Sequence, residues 1–460
     1  LPHQAGRNSQ VKNFEITPVI RVFGTSGIRG AWSEEVTPAL FLKLGKALST
    51  FLGQSGKVLV GRDTRTTGEA LQAALVSGLL SGGCEVIEAG IIPTPVLAFA
   101  TKFLKMDAGV IITASHNPPA YNGVKFWSRE GMAFTPDQER KIEEIFHGEA
   151  RAVEWRNVGH AREQEVLSIY TEEILKKFSL QEKFKIVVDC GNGAASLVTP
   201  FLLRELGCEV ITLNSHPDGF PGRELEPSQE SLKELAKEVK NSGADIGLAH
   251  DGDADRVAAV DEKGRVVDQD KLLALVAREQ AKGKTVVTTV DASRVIEKVI
   301  EETGGKVIRT KVGDVNVAIA CKQSEAAFGG EPCGAWIFPQ FHLAPDGPLG
   351  ALILLKILES GKSLSEMIDE LPTYIMLRKK IPCPNTNKEK VMKRFLAVAE
   401  KMGTDLSTVD GVRVSFPEGW VLVRPSGTEP FIRVTVEGEN EEWVREQMTK
   451  TIQILTVEEQ

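Results

Sequence analysis

Between residues 57 and 330 one unit of strand, helix, strand, helix and strand is written three times, and this repeat limits the possible folds more than any other feature. The first pass runs KVLVGRDTR (57–65), a helical GEALQAALVSGLLSGG, the strand CEVIEAG, a helix around TPVLAFATKF and the strand DAGVIITASHNP. The second runs FKIVVDCGNG, a helix through Leu206, CEVITLNSH, the helix SQESLKELAKEVKNSG and the strand ADIGLAHDGDADR. The third runs KTVVTTVDASR, a helix through Thr303, KVIRTKVGD, the helix DVNVAIACKQ and the strand AAFGGEPCG. Short apolar strands alternating with helices imply sheets covered on both faces. Residues beyond 370 change rhythm: GVRVSF, GWVLVRPSG and FIRVTVEG read as antiparallel strands, closed by a helix in NEEWVREQMTKTIQIL. The expected fold class is α/β. Three similar α/β domains with mixed sheets between helices span 15–150, 151–256 and 257–370, a C-terminal α+β domain spans 371–460, and all four surround a central cleft.

The bulk properties remove several function classes. No apolar run approaches the roughly 18 residues that a membrane span needs, so no membrane partner is expected. The net charge is −8 and no long segment gathers Lys and Arg, which argues against nucleic acid. Six scattered cysteines without a C-x-x-C pair suit free thiols in a reducing cytoplasm. The N-terminal LPHQAGRNSQVKNFE has no apolar signal core and is read as a frayed leader outside the fold.

The third strand of each repeat ends in an unusual loop: ASHNP, then DGDADR, then GGEPCG. Equivalent loops of three packed copies would meet at one cleft, outside strand C-termini where ligands gather. DGDADR sets Asp251, Asp253 and Asp255 at every second position. Carboxylates this close repel unless a cation lies among them. Oxygen-only ligands select a hard ion, Mg²⁺ before zinc. An EF-hand would place Asp251 first and Glu262 twelfth, but Arg256 then takes the sixth position, where the turn needs glycine.

ASHNP pairs Ser115 with His116. Adjacent residues on an extended chain point to opposite faces, so the two are not expected to bond each other, and no G-x-S-x-G elbow surrounds Ser115. A serine that meets Mg²⁺ suits carriage of a phosphoryl group, whose charge the metal balances. From this loop alone, a serine that merely caps a turn before Pro118 fits as well. His116 and Lys125, the latter beyond an Asn122-Gly123 turn, are candidates for acid–base work; a core histidine and a solvated lysine are the alternatives. Arg29 in FGTSGIRG and Arg62 in GRDTRTTGE would neutralise phosphoryl charge. RPSGTEPFIR gathers Arg424, Ser426, Gly427, Thr428 and Arg433 in one tight turn, a good cradle for a phosphate dianion. Glu331, between glycines, suits sugar hydroxyls.

Together the loops resemble the α-D-phosphohexomutase superfamily: TASHNPPAYNGVKFW its phosphoserine loop, DGDADR its metal loop, GGEPCG its sugar loop and RPSGTEP its phosphate loop, in the same order from Phe23 onward. The resemblance implies that Ser115 is phosphorylated and that Asp251, Asp253 and Asp255 hold one Mg²⁺ with a phosphoserine oxygen. Arg29, His116, Lys125 and Arg256 would line the transfer site. Thr310, Gly313 and Asp314 would read the sugar's orientation, Glu331 and Cys333 would face its hydroxyls, and the Arg424–Arg433 turn would grip the other phosphate. The last domain would resemble half of a TATA-binding protein.

One departure is that Cys333, Gly334 and Ala335 stand where many relatives have Ser-Gly-His, which leaves His116, Lys125 or His342 for proton transfer. The segment around GGEPCGAWIFPQFHLAPDG is similar to the archaeal-type branch, whose members act on glucosamine, mannose or glucose phosphates. The expected activity is interconversion of hexose 6-phosphate and hexose 1-phosphate through a hexose 1,6-bisphosphate, with glucosamine phosphate ahead of mannose and glucose phosphates. A metal-dependent phosphatase using the same groups and a non-catalytic sugar-phosphate sensor are the rivals. A cytoplasmic monomer or homodimer is expected.

Overall fold

A computed structural model describes residues 24, 27–403, 405–427 and 429–456. Four sheets organise the described residues. In the first three, a central strand carries parallel neighbours on both sides: Lys57–Arg62 between Glu85–Ile91 and Ala108–Ile112, Lys185–Asp189 between Glu209–Leu213 and Ile246–Ala249, and Thr285–Thr289 between Lys306–Thr310 and Phe328–Gly330. In each, a fourth strand returns antiparallel beside the third: Tyr121–Ser128, Ala258–Asp261 and Trp336–Ile337. The loop expected at the end of each third strand is therefore a hairpin connection, and the three occupy equivalent places. These returning strands make the sheets mixed, as expected of the fold class.

The first sheet has two further strands, Ile28–Ala31 beside Tyr121–Ser128 and Ala161–Glu163 beside Glu85–Ile91. The sheets thus run past the expected boundaries: Ala161–Glu163 extends the first beyond residue 150, and Ala258–Asp261 closes the second beyond residue 256. The fourth sheet is antiparallel, in the order Ile375–Pro382, Phe431–Gly438, Gly419–Pro425, Val412–Ser415 and Asp405–Ser407. The helices Lys388–Ala399 and Glu441–Thr456 accompany it.

Side chains alternate along each central strand and so serve two cores. Leu59, Ile186, Val188 and Val286 enter one continuous core shared by the first three domains. Their neighbours Val58 and Val60, Val187, and Val287 enter three separate cores, one per sheet. The helix Gly347–Leu358 (GPLGALILLKIL) is apolar on almost every side and lies inside the shared core, the place for a helix hydrophobic all round. Asp346 caps it at Leu349 N and also takes a hydrogen bond from Tyr170 Oη at 2.8 Å. His342 Nε2 lies 2.7 Å from the same carboxylate, with the imidazole buried. His342 is therefore a tie between domains, not the cleft-facing proton donor that the sequence allowed for. Among the described residues no helix is long and apolar enough to cross a membrane.

Because the shared core is continuous, truncating it should weaken the assembly as a whole. Leu352→Ala is expected to cost about 2–5 kcal/mol, as for other buried leucines, seen as a lower urea midpoint. An unchanged midpoint would show that this helix does not join the domains.

Candidate active site

The approach strand Ala108–Ile112 is buried throughout, and the chain turns sharply on leaving it. Ser115 has φ +50°, in the left-handed region that serine seldom enters. The turn aims Ser115 Oγ at Asp251 Oδ2, 2.6 Å away. It also brings His116 Nδ1 within 3.3 Å of Ser115 Oγ. The expectation that the two side chains diverge assumed extended backbone, and Ser115 is not extended. The metal loop comes equally close from the second domain: a Cβ at Gly252 would lie 2.6 Å from Ser115 O, so only glycine fits there.

Asp251, Asp253 and Asp255 are buried, and each offers a carboxylate oxygen within 4.8 Å of the others. Lys125 lies in the strand Tyr121–Ser128, which also contains Asn122 and Gly123, expected to form a turn. Its Nζ reaches Asp253 Oδ2 at 2.9 Å and Asp255 Oδ2 at 2.8 Å. Thr94, at the start of the helix Thr94–Phe103, binds Asp253 twice, N to C=O at 2.9 Å and Oγ1 to Oδ2 at 2.6 Å. Burial, then the charges of Asp255 and Asp253, pushes Asp251 well above the usual carboxylate range. Burial opposes the Asp253 charge too, but Lys125 and Thr94 outweigh it and hold this carboxyl below the usual range. Burial likewise opposes the Lys125 charge, and Asp253 and Asp255 outweigh it, so the ammonium keeps its proton. Asp253 Oδ1 and Asp255 Oδ1 are buried without a hydrogen-bond partner. Two orphaned oxygens in an oxygen-only set fit a hard divalent cation.

Beside the trio opens a cavity of 470 Å³, lined by all four domains and within the range of about 300–1,000 Å³ usual for small-molecule sites. His116 comes from the first, Glu226 and Arg256 from the second, Gly313, Glu331 and Cys333 from the third, and Arg424, Ser426, Gly427 and Arg433 from the fourth. Burial, then Arg256 and Arg29, pushes the His116 imidazole down to about 3, so it is neutral at neutral pH. Arg29 donates Nη1 to Asn117 Oδ1 at 3.0 Å, while its buried Nε has no partner. Arg256 Nη1 donates to Glu226 Oε2 at 2.5 Å. Gly313, at φ +121°, donates its N–H to Glu331 Oε1 at 2.8 Å. Burial, then Asp314, pushes Glu331 up to about 8. Burial pushes the Asp314 carboxyl up as well, with Lys125 opposing. Burial pushes the Cys333 thiol up to about 12. Arg424 Nε stands 2.6 Å from Asp410 Oδ2, and Arg433 Nη2 3.7 Å from Glu429 Oε2.

Arg29, Arg62, Lys125, Thr310 and Asp314 are not among the residues that line this cavity. Arg62 lines a different hollow, with Glu69, Glu88 and Glu163, on the first domain. Thr310 ends the strand Lys306–Thr310, where its C=O accepts Val290 N, and does not line the cleft. Thr428 lies outside the described residues. The sequence reading passed over Thr94, Glu226, Asp410 and Lys388, whose Nζ holds Ser426 O at 2.5 Å and Glu429 O at 2.6 Å. Only Thr94, between two prolines ahead of a helix, carried a local signal.

Four successive segments match a single family. Residues 21–152, 168–264 and 268–374 match the phosphoglucomutase/phosphomannomutase alpha/beta/alpha domains I, II and III, and 380–453 match its C-terminal domain. The chain belongs to the phosphoglucomutase/phosphomannomutase family. It is a phosphohexomutase, an isomerase that moves a phosphoryl group within a hexose phosphate. A Methanocaldococcus jannaschii protein named "Phosphoglucosamine mutase" is 47% identical over 447 residues, covering 95% of this chain and 98% of that one. A Methanopyrus kandleri protein named "Probable phosphoglucosamine mutase" is 50% identical over 443 residues, covering 95% and 98%. Among solved structures, a phosphoglucomutase/phosphomannomutase family protein of Burkholderia thailandensis superposes with a TM-score of 0.86 at 28% identity, covering 94% of this chain and 96% of that one.

Glu331 gives this mutase a measurable pH signature. Its folded form holds a proton that the unfolded chain releases near pH 4.5, so its contribution to stability is lost as pH rises from there to about 8. Glu331→Gln has no such loss. Its melting temperature relative to wild type should climb between about pH 5 and pH 8; a constant difference would place Glu331 in a more solvated setting.

Proposed function

We propose that this phosphohexomutase interconverts glucosamine 6-phosphate and glucosamine 1-phosphate, with Ser115 as the phosphoryl carrier. The observation that carries the reading is the 2.6 Å hydrogen bond from Ser115 Oγ to Asp251 Oδ2, at the edge of a cavity whose far side holds Arg424, Ser426 and Arg433. The choice of glucosamine rests on the names of the relatives that are 47–50% identical. A mannose or glucose phosphate is the alternative.

In the forward half-reaction the Ser115 Oγ–P bond breaks and a bond from phosphorus to a sugar hydroxyl oxygen forms. The hydroxyl proton ends on Ser115 Oγ. His116, neutral and 3.3 Å from that oxygen, is placed to pass it on. Lys125 serves a different purpose, because its proton is locked between two carboxylates; it lowers the charge around the transfer site. Arg29 has spare donors for the oxygens of the moving phosphoryl group. Asp251, Asp253 and Asp255 would hold a Mg²⁺ ion, which when bound supplies neutralisation of phosphoryl charge. Glu331 is protonated at neutral pH, so it can both donate to and accept from sugar hydroxyls. Arg424, Ser426 and Arg433 grip the phosphate that is not moving. The 1,6-bisphosphate then turns end for end, and its other phosphate returns to Ser115.

Ser115→Ala should leave folding intact and lower turnover by at least about 10³-fold. The test compares glucosamine, glucose and mannose 6-phosphates side by side with wild type and this variant, each with its bisphosphate, and follows phosphate on Ser115 by mass spectrometry. Near-normal activity of the variant would defeat the carrier role. Equal rates on all three sugars would remove the preference for glucosamine.

A further inference from the structure

The GRDTR segment contains a second arginine, and its surroundings differ from those of Arg62. Arg65 is buried and spends every N–H of its guanidinium. Nε donates to Asp63 Oδ2 at 3.1 Å. Nη1 donates to the carbonyls of Pro118 and Tyr121, both at 2.8 Å. Nη2 donates to the carbonyls of Ser115 at 2.9 Å and Asn117 at 2.7 Å. A guanidinium has five N–H donors in a fixed plane, and all five are taken, four of them by the loop 115–121. None is left for a phosphate. Arg65 is thereby distinguished from Arg29, whose Nε is unpartnered.

Asp63 completes the arrangement. It accepts Arg65 N at 2.9 Å and the hydroxyl of Thr113 at 2.6 Å. The Thr113 oxygen in turn accepts Ser115 N at 2.8 Å. Ser115 is thus held at both its N–H and its C=O, by two arms that meet at Asp63. It is also the residue with φ +50°. A left-handed serine is unfavourable and persists only where the surroundings over-determine it. Without that turn Oγ would not meet Asp251.

The geometry points to Arg65 as a positioning residue for phosphoryl transfer: with Asp63 and Thr113 it locks Ser115 in the left-handed conformation that presents Oγ to the cleft. This rests on the reading of Ser115 as the phosphoryl carrier. A lysine cannot take over, since three donors on a rotating ammonium do not match four carbonyls and a carboxylate spread around one plane.

The test is Arg65→Lys, with Thr113→Val as a second variant that cuts the other arm while keeping side-chain shape. Steady-state kinetics, melting temperature and the phosphate content of Ser115 are measured for both. Arg65→Lys should lower kcat by about 10²-fold, the order expected for misplacement by about an ångström, with KM within about threefold of wild type. Thr113→Val should show the same split, with kcat down by about tenfold. In Arg65→Ala, added guanidinium ion should restore part of kcat without changing KM, a rescue that a loss of overall folding would not permit. A kcat within about threefold of wild type in Arg65→Lys, or a loss accounted for by its unfolded fraction, overturns the proposal. If Arg65→Lys does not fold, an unchanged kcat in Thr113→Val overturns it instead. Wild-type enzyme that never acquires phosphate on Ser115 overturns the reading of the reaction and this proposal with it. A phosphorylated wild type beside a fully active Arg65→Lys overturns this proposal alone.

Discussion

Three buried carboxylates face one buried ammonium, and this imbalance governs the architecture around it. Asp251, Asp253 and Asp255 carry three negative charges when ionised; Lys125 cancels one and leaves two, the charge of one divalent cation. Burial makes any residual charge costly. Burial and the two neighbouring carboxylates raise Asp251 well above the usual carboxylate range, and two carboxylate oxygens are left unpartnered. A set so arranged fits a divalent cation, and Ser115 Oγ stands beside one of its carboxylates, that of Asp251. The same imbalance explains why Thr94 and Lys125 reach across from the first domain into a loop of the second. The interface between those domains therefore joins a charged contact to the continuous apolar core that the two domains share.

The repeat places these groups with little further information. Each copy turns from a parallel strand into an antiparallel one at the same position, so the serine, the carboxylates and Glu331 occupy corresponding hairpins. One face of each central strand looks into the shared core and the other into a private one, and this alternation fixes both the register of the strands and the direction in which their loops leave. That much was legible in the sequence, because the strand runs, the helices between them and the odd loops are all local patterns. The returning strands were harder to place as boundaries, since Ala258–Asp261 follows the acidic loop so closely that it reads as the start of the next unit.

The supporting side chains were not legible in the same way. Arg65 acts on carbonyls some fifty residues away, Thr94 on a residue 159 positions on, and Glu226 on Arg256 thirty positions on. Such pairs have no period and no motif, and only the closed fold brings them together. The one error of principle concerned Ser115 and His116. Divergence of neighbours holds for extended chain, and a single left-handed residue reverses it. Arg62 misled for a similar reason: it ends a strand, and the residue that turns toward the serine loop is the third one after it.

The fourth domain stands apart from this shared construction. Its sheet and two helices close a core of their own, which includes Val421, Val423, Val434 and Val436. Its apolar contact with the third domain is a small cluster of Val290, Trp420 and Leu422, with Val312 and Met376 packed against them. The other links are polar, such as Arg294 N to Glu437 Oε1 at 3.0 Å and Val312 N to Asp410 Oδ2 at 3.1 Å. An interface of that kind resists sliding far less than a continuous core does. The rigid part of the molecule therefore carries Ser115, the acidic trio and Glu331, where reacting atoms need fixed geometry. The loosely joined part carries Arg424, Ser426 and Arg433, which on the proposed reading would need only grip whichever phosphate is distal. A bisphosphate turning within the cleft, as the proposed reaction has it, would be served by that division: contacts at one end that stay in place, and contacts at the other that can let go without disturbing them.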